Sequence, residues 1–100
     1  MSKVLNVIAT MAAKAGAEDA LRTLLLPAIA KFRGEAGCEG YTLLEDRKKP
    51  GRFMTFETWT DEAALAAHMT SPTVQALGPA MKALLDREIT QDFLTALVKV

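Results

Sequence analysis

The chain has 100 residues, half of them apolar, and its twelve lysines and arginines balance twelve aspartates and glutamates. That length suits one domain spanning 1–100 with its own core, and the even charge lacks the basic footprint of a nucleic-acid binder. A lone cysteine, Cys38, excludes an internal disulfide framework, and no apolar stretch has the length of a membrane span or a secretory leader, so the expectation is a cytoplasmic protein.

Residues 3–10, KVLNVIAT, are β-branched and apolar apart from Asn6, and read as a strand. Alternation puts Val4, Asn6 and Ile8 on one face and Leu5, Val7 and Ala9 on the other. Both faces are otherwise apolar, so cover on both sides is expected. A helix follows. Leu21, Leu24, Leu25, Ala28 and Phe32 recur at helical spacing, Glu18 and Asp19 fall in the first turn where the dipole favours acid, and Gly34 and Gly37 end it. Pro27 lies inside this pattern and predicts a kink or a break.

Residues 39–47 and 52–60 read as a hairpin whose turn carries Pro50-Gly51, a type II signal. In the returning strand Phe53, Thr55, Glu57 and Trp59 face one way, and Met54, Phe56 and Thr58 the other. Asp61 is placed to cap a helix DEAALAAHM, in which Leu65, His68 and Met69 share a side, so His68 lies on the apolar face. Ser71-Pro72 starts another helix, with Val74, Leu77, Met81, Leu84 and Leu85 as its stripe and Gly78-Pro79 predicting an interruption. Residues 89–98 complete the chain as a last strand.

The order β-α-β-β-α-β gives the split, ferredoxin-like α+β arrangement, with the helices on one face of a four-stranded sheet. The opposite face, carrying a set such as Leu5, Val7, Ala9 or Phe56, needs cover, and a second copy of the chain supplies it. A homodimer with sheets back to back is the expectation.

One histidine and one cysteine do not make a three-ligand zinc site, and the glycines of GEAGCEG follow no strand and make no dinucleotide fingerprint. Cys38 reads as a small buried residue, and the Arg47-Lys48-Lys49 cluster as a solvated turn. What remains is a polar set in apolar surroundings: Asn6, Glu57, Trp59 and His68, with Tyr41 beside them. Two readings stand. Asn6 or Glu57 satisfies His68 in a structural network, or His68 is a base in a pocket where Asn6 donates to an oxyanion.

EAGCEGYTLLED and FMTFETWTDEAALAAHMTSP, together with the opening strand, resemble the antibiotic biosynthesis monooxygenase family, nearest its small quinol monooxygenase-like members. The resemblance covers essentially the whole chain and implies a dimeric α+β barrel. It further implies oxidation of an electron-rich aromatic, such as a quinol or anthrone, by molecular oxygen with no cofactor and no metal. On this reading His68 takes the substrate proton, Asn6 holds the substrate oxygen, and Trp59, Glu57 and Tyr41 surround the ring. Haem-degrading members carry an Asn, Trp and His set. Asn6 matches the first, but the positions of the other two hold His68 and Gly78 here. Other members isomerise phosphorylated sugars, for which Arg47 or Arg52 is the available anion partner. A non-catalytic dimeric module that binds a hydrophobic metabolite, or an isomerase of a small signalling metabolite, is the alternative to oxidation.

Overall fold

The computed structural model describes residues 3–98. Its elements are β1 (Leu5–Ala12), α1 (Glu18–Arg33), β2 (Cys38–Glu45), β3 (Arg52–Trp59), α2 (Glu62–Met69), α3 (Pro72–Leu84) and β4 (Thr90–Leu94). The sheet order is β2-β3-β1-β4, with every neighbouring pair antiparallel. This is the expected ferredoxin-like α+β fold. The hairpin turn has Gly51 at φ +89°, as its Pro-Gly pair requires.

Register decides which face of β1 meets the helices. Val7 sits opposite Glu57, Ala9 opposite Thr55 and Met11 opposite Phe53, and directly opposed residues share a face. With Trp59, which sits opposite Leu5, these are the buried residues of both strands, packed under α1 against Leu21, Leu25, Ala28, Ile29 and Phe32. Val7 and Ala9 therefore lie under the helices, and Leu5 packs against the same core. This corrects the expectation that this set forms the open face. The open face instead carries Asn6, Ile8 and Thr10, with Phe56 and Leu44 about half exposed and Leu94 opposite Asn6.

Both in-helix prolines sit on exposed faces, and neither breaks its helix. The carbonyls they leave without an N–H, at Thr23 and Gln75, belong to exposed residues, so water replaces the lost bond. At the second site the preceding residue is Gly78, which has no Cβ to strike the proline ring. Hence α3 runs on to Leu84 where an interruption was expected. The break falls earlier, at Thr70–Ser71. Asp61 caps α2, its carboxylate accepting from Ala64 N at 2.8 Å, and Ser71 caps α3, its hydroxyl accepting from Val74 N at 3.2 Å.

The last strand is shorter than expected, ending at Leu94. Between α1 and the sheet end, Arg22 donates twice to Glu45 at 3.0 and 2.6 Å and lies over the Phe53 ring. No helix among the described residues is long and apolar enough to cross a membrane.

Candidate active site

Of the apolar stripe on α3, only Met81 is fully buried. Val74 and Leu77 pack on the core and, with Met81, also line a cavity of about 240 Å³ to which every strand and both other helices contribute. At one end of this apolar space lie His68, Glu57 and Tyr41.

His68 reaches the cavity because α2 begins at its Asp61 cap and runs just under two turns before presenting the imidazole to the sheet. Its Nδ1 is 2.7 Å from Oε1 of Glu35, in the turn between α1 and β2. A carboxylate only accepts, so Nδ1 carries a proton toward Glu35, and Nε2 keeps a lone pair whenever the ring is neutral. Nε2 has Glu57 Oε1 as its nearest acidic neighbour, at 4.0 Å, beyond hydrogen-bond reach. The ring itself is 6 % exposed and held by aromatic contacts: Trp59 stacks on it at 4.5 Å, and Phe32 meets it edge-on at 4.6 Å.

Glu57 is a buried carboxylate, and the strand around it supplies what such a group needs. Thr55 Oγ1 donates to its Oε2 at 2.6 Å and Trp59 Nε1 donates to its Oε1 at 2.9 Å. Thr55 in turn accepts from the Ala9 amide at 3.1 Å. The alternation Thr55, Glu57, Trp59 thus places donor, acceptor and donor on one strand face. Among the described residues no side-chain nitrogen or oxygen that is itself sealed from solvent lacks a partner. Tyr41, from the neighbouring position on β2, is 6 % exposed. Burial first, then the Glu57 charge and the hydroxyl's hydrogen bond to the Glu57 carboxylate, push its phenol well above the ordinary value. It therefore stays a protonated donor throughout the range in which proteins fold.

The expected site residues divide three ways. His68, Glu57 and Tyr41 come together on the cavity wall. Trp59, expected to line or stack on the substrate ring, is fully buried behind the wall, where its indole positions Glu57 and His68. Asn6 does not join them. It opposes Thr58 on the open face, where its Oδ1 accepts from Thr58 Oγ1 at 3.1 Å, so the sheet separates it from His68. The pairing of Asn6 with His68 in one pocket is accordingly corrected.

Glu35 was missed. Its signal is weak in a sequence, since it sits in a turn without periodicity, 33 residues from its partner. Thr55 was legible, as a polar residue on the same strand face as Glu57. Cys38 is half-buried, its thiol donating to Gly40 O at 3.6 Å, and burial pushes that thiol up, away from thiolate reactivity. Arg52 is bound to Asp46 at 3.0 Å in the hairpin, so it is not an anion partner for this cavity. No group of three potential metal ligands exists among the described residues.

The class these features define is a small α+β protein with a ferredoxin-like sheet, a cavity beneath its helices and a histidine between two carboxylates in that cavity's lining region. Residues 5–79 match the family model described as antibiotic biosynthesis monooxygenase, and the chain belongs to that family. Among solved structures it is similar to PA3566 from Pseudomonas aeruginosa, at 36 % identity over 98 % of both chains with a TM-score of 0.90. It is also similar to Rv0793 from Mycobacterium tuberculosis, at 31 % identity over 96 % of this chain and 97 % of that one, with a TM-score of 0.89. A variant of SnoaB, a cofactor-independent oxygenase from Streptomyces nogalater, shares the fold at 20 % identity, a TM-score of 0.86, and coverage of 99 % and 98 %.

Proposed function

We propose that this protein is a cofactor-independent monooxygenase of a small hydroxyaromatic substrate, with His68 as the base. The observation that carries the reading is the asymmetry of His68, a residue of the cavity lining: Nδ1 is 2.7 Å from Glu35 Oε1, while Nε2 has no hydrogen-bond partner among the described residues, its nearest carboxylate oxygen lying 4.0 Å away. An acidic residue that fixes the tautomer and leaves the other nitrogen as a lone pair is the arrangement a general base requires. An isomerase of a phosphorylated substrate needs an arginine in the wall, and none lines this cavity.

The chemistry uses the substrate's own electrons. His68 Nε2 takes the proton of a phenol or of an activated C–H, and the anion passes one electron to molecular oxygen. The substrate radical and superoxide combine into a carbon–oxygen bond. The imidazolium returns its proton to the peroxide anion, and loss of water, which takes the hydrogen still on that carbon, leaves one oxygen atom as a carbonyl and sends the other out as water. Tyr41, held protonated, donates to the substrate oxygen as negative charge develops there, the role first expected of Asn6. Glu35 and Glu57 compensate the imidazolium that forms, and the largely apolar lining reduces the water beside the radical pair.

The reading includes a homodimer. Ile8, Leu44, Phe56 and Leu94 make an apolar open sheet face, which a second copy covers. The test is oxygen uptake by metal-free protein against a panel of quinols and anthrones, with autoxidation subtracted. Uptake above background that collapses in His68→Ala is expected; uptake equal in the two proteins overturns the role of His68.

A further inference from the structure

The donors around His68 and Glu57 leave two acceptors unfilled. On His68, Nδ1 is bound to Glu35 at 2.7 Å and Nε2 bonds nothing among the described residues. Every side-chain nitrogen there that is sealed from solvent has a partner, so Nε2 is not sealed. His68 belongs to the cavity lining, and in the neutral ring Nε2 offers that space a lone pair. On Glu57 three donors already arrive: Thr55 Oγ1 on Oε2 at 2.6 Å, Trp59 Nε1 on Oε1 at 2.9 Å, and the Tyr41 hydroxyl. A carboxylate accepts about four, so one place remains. Glu57 Oε1 lies 4.0 Å from Nε2, and neither has a hydrogen to give the other while the ring is neutral.

Two acceptors this close call for two donors on one ligand. A single donor atom about 2.8 Å from both would join them at an angle of about 90°, tighter than the spread of an ammonium group's hydrogens. Two hydroxyls on one edge of a ring, on neighbouring carbons or one carbon apart, reach both acceptors with bonds of ordinary length. Hydroxyls at opposite ends of a ring do not, because the ring itself stands between them. The rest of the lining selects an aromatic over a sugar. Leu25, Ile29, Phe32, Leu77 and Met81 offer nothing to a sugar's remaining hydroxyls, and each one left unpaired is costly to bury.

A cavity of about 150 Å³ holds one benzene, so a space of about 240 Å³ admits one ring with substituents. We propose that the substrate is a one-ring aromatic with two hydroxyls on one edge, one donating to His68 Nε2 and the other to Glu57. Glu57 is then a substrate-binding residue that selects against diols whose hydroxyls stand at opposite ends of the ring. The incoming hydroxyl also keeps Glu57 supplied when Tyr41 turns its proton to the charged substrate oxygen. This rests on the oxidation reading for the fate of the substrate only; the selection stands on the two acceptors and their separation.

The test is anaerobic calorimetric titration of the intact protein with phenol, catechol, resorcinol, hydroquinone and benzylamine, none of which requires turnover. The added hydrogen bond to a carboxylate makes the better of catechol and resorcinol bind about ten- to a hundredfold more tightly than phenol, while hydroquinone only matches phenol. The monomethyl ether of that better diol falls back to the affinity of phenol. Glu57→Gln puts a donor where an acceptor oxygen stood and reduces the advantage of the second hydroxyl, while phenol still binds. If that variant fails to fold by circular dichroism, the wild-type series with the methyl ether decides alone. Hydroquinone equal to the better one-edge diol overturns the proposal. So does an advantage unchanged in folded Glu57→Gln, tightest binding of benzylamine, or no binding of any probe. Oxygen uptake with the same diols, autoxidation subtracted, separates the two readings. A one-edge preference in binding without uptake supports the acceptor pair and removes the oxidation. Uptake without any preference in binding removes the selection and keeps the oxidation.

Discussion

Gly37 is where the turn bearing Glu35 touches the helix bearing His68, and replacing it by alanine tests that contact directly. Gly37 has φ +82°, and an added Cβ falls 2.4 Å from Ala64 Cβ and 2.8 Å from Thr60 Oγ1. The neighbours are a helix methyl and a side chain beside the cap, not the free end of a long flexible group. The left-handed conformation costs a Cβ-bearing residue about 1–2 kcal/mol, and overpacking adds about 1–3 kcal/mol, for a total of roughly 2–5 kcal/mol. Gly16 separates the two contributions, since its φ is +86° but an added Cβ there meets nothing within 4 Å. Gly16→Ala should therefore lose only about 1–2 kcal/mol. Urea unfolding followed by circular dichroism at fixed protein concentration measures both. With a slope of about 1–3 kcal/mol per molar, the Gly37→Ala midpoint should lie below the Gly16→Ala midpoint by roughly 1 M. Equal midpoints would refute the close packing of the 34–37 turn against α2. Because relief of the clash moves Glu35 away from His68, activity should fall with stability in Gly37→Ala and not in Gly16→Ala.

Three further outcomes follow from the same geometry. Tyr41 is the only tyrosine, and its phenol is raised in the folded protein. The unfolded chain then holds fewer protons above about pH 10, so stability contributed by Tyr41 is complete below that pH and falls as pH rises through it. Alkaline spectrophotometric titration should show phenolate appearing only together with loss of circular dichroism; reversible ionisation near pH 10 in the folded protein would contradict the burial. Glu35→Gln keeps the shape and removes the charge 2.7 Å from Nδ1, which should lower kcat by roughly ten- to a thousandfold, about 1.4–4 kcal/mol, with little change in melting temperature. An unchanged kcat would make Glu35 structural only. If the proposed homodimer forms through the open sheet face, wild type should sediment as a dimer and Phe56→Glu, which puts a charge on that face, as a monomer; a Phe56→Glu dimer of undiminished affinity would refute that interface.

Legibility in the sequence followed periodicity. The β3 pattern Phe53, Thr55, Glu57, Trp59 was readable because polar and apolar residues alternate, and its partition between faces matches the burial. In β1 both faces are apolar, so alternation alone could not say which one the helices cover; pairing with β3 settled it and moved Asn6 to the far side. The helix caps at Asp61 and Ser71 were local signals and were found locally. Gly78-Pro79 looked like a break because each residue disfavours a helix alone, whereas together the glycine relieves the crowding the proline creates. The Glu35–His68 contact depends on how the 34–37 turn packs on α2, which no local pattern encodes. The cavity also had no sequence signal of its own: the stripe on α3 reads as buried core whether it faces side chains or empty space.

The central claim is that His68 Nε2 removes a proton from a bound hydroxyaromatic. The most direct measurement is anaerobic difference absorption of a chromogenic phenol bound to the protein, taken below the phenol's own pKa so that free ligand stays protonated. The account predicts a phenolate band that saturates with wild-type protein and is absent with His68→Gln, although the variant still binds the phenol by calorimetry. A phenolate band of equal strength in His68→Gln, or bound phenol that stays protonated in wild type at every pH up to its own pKa, would contradict it.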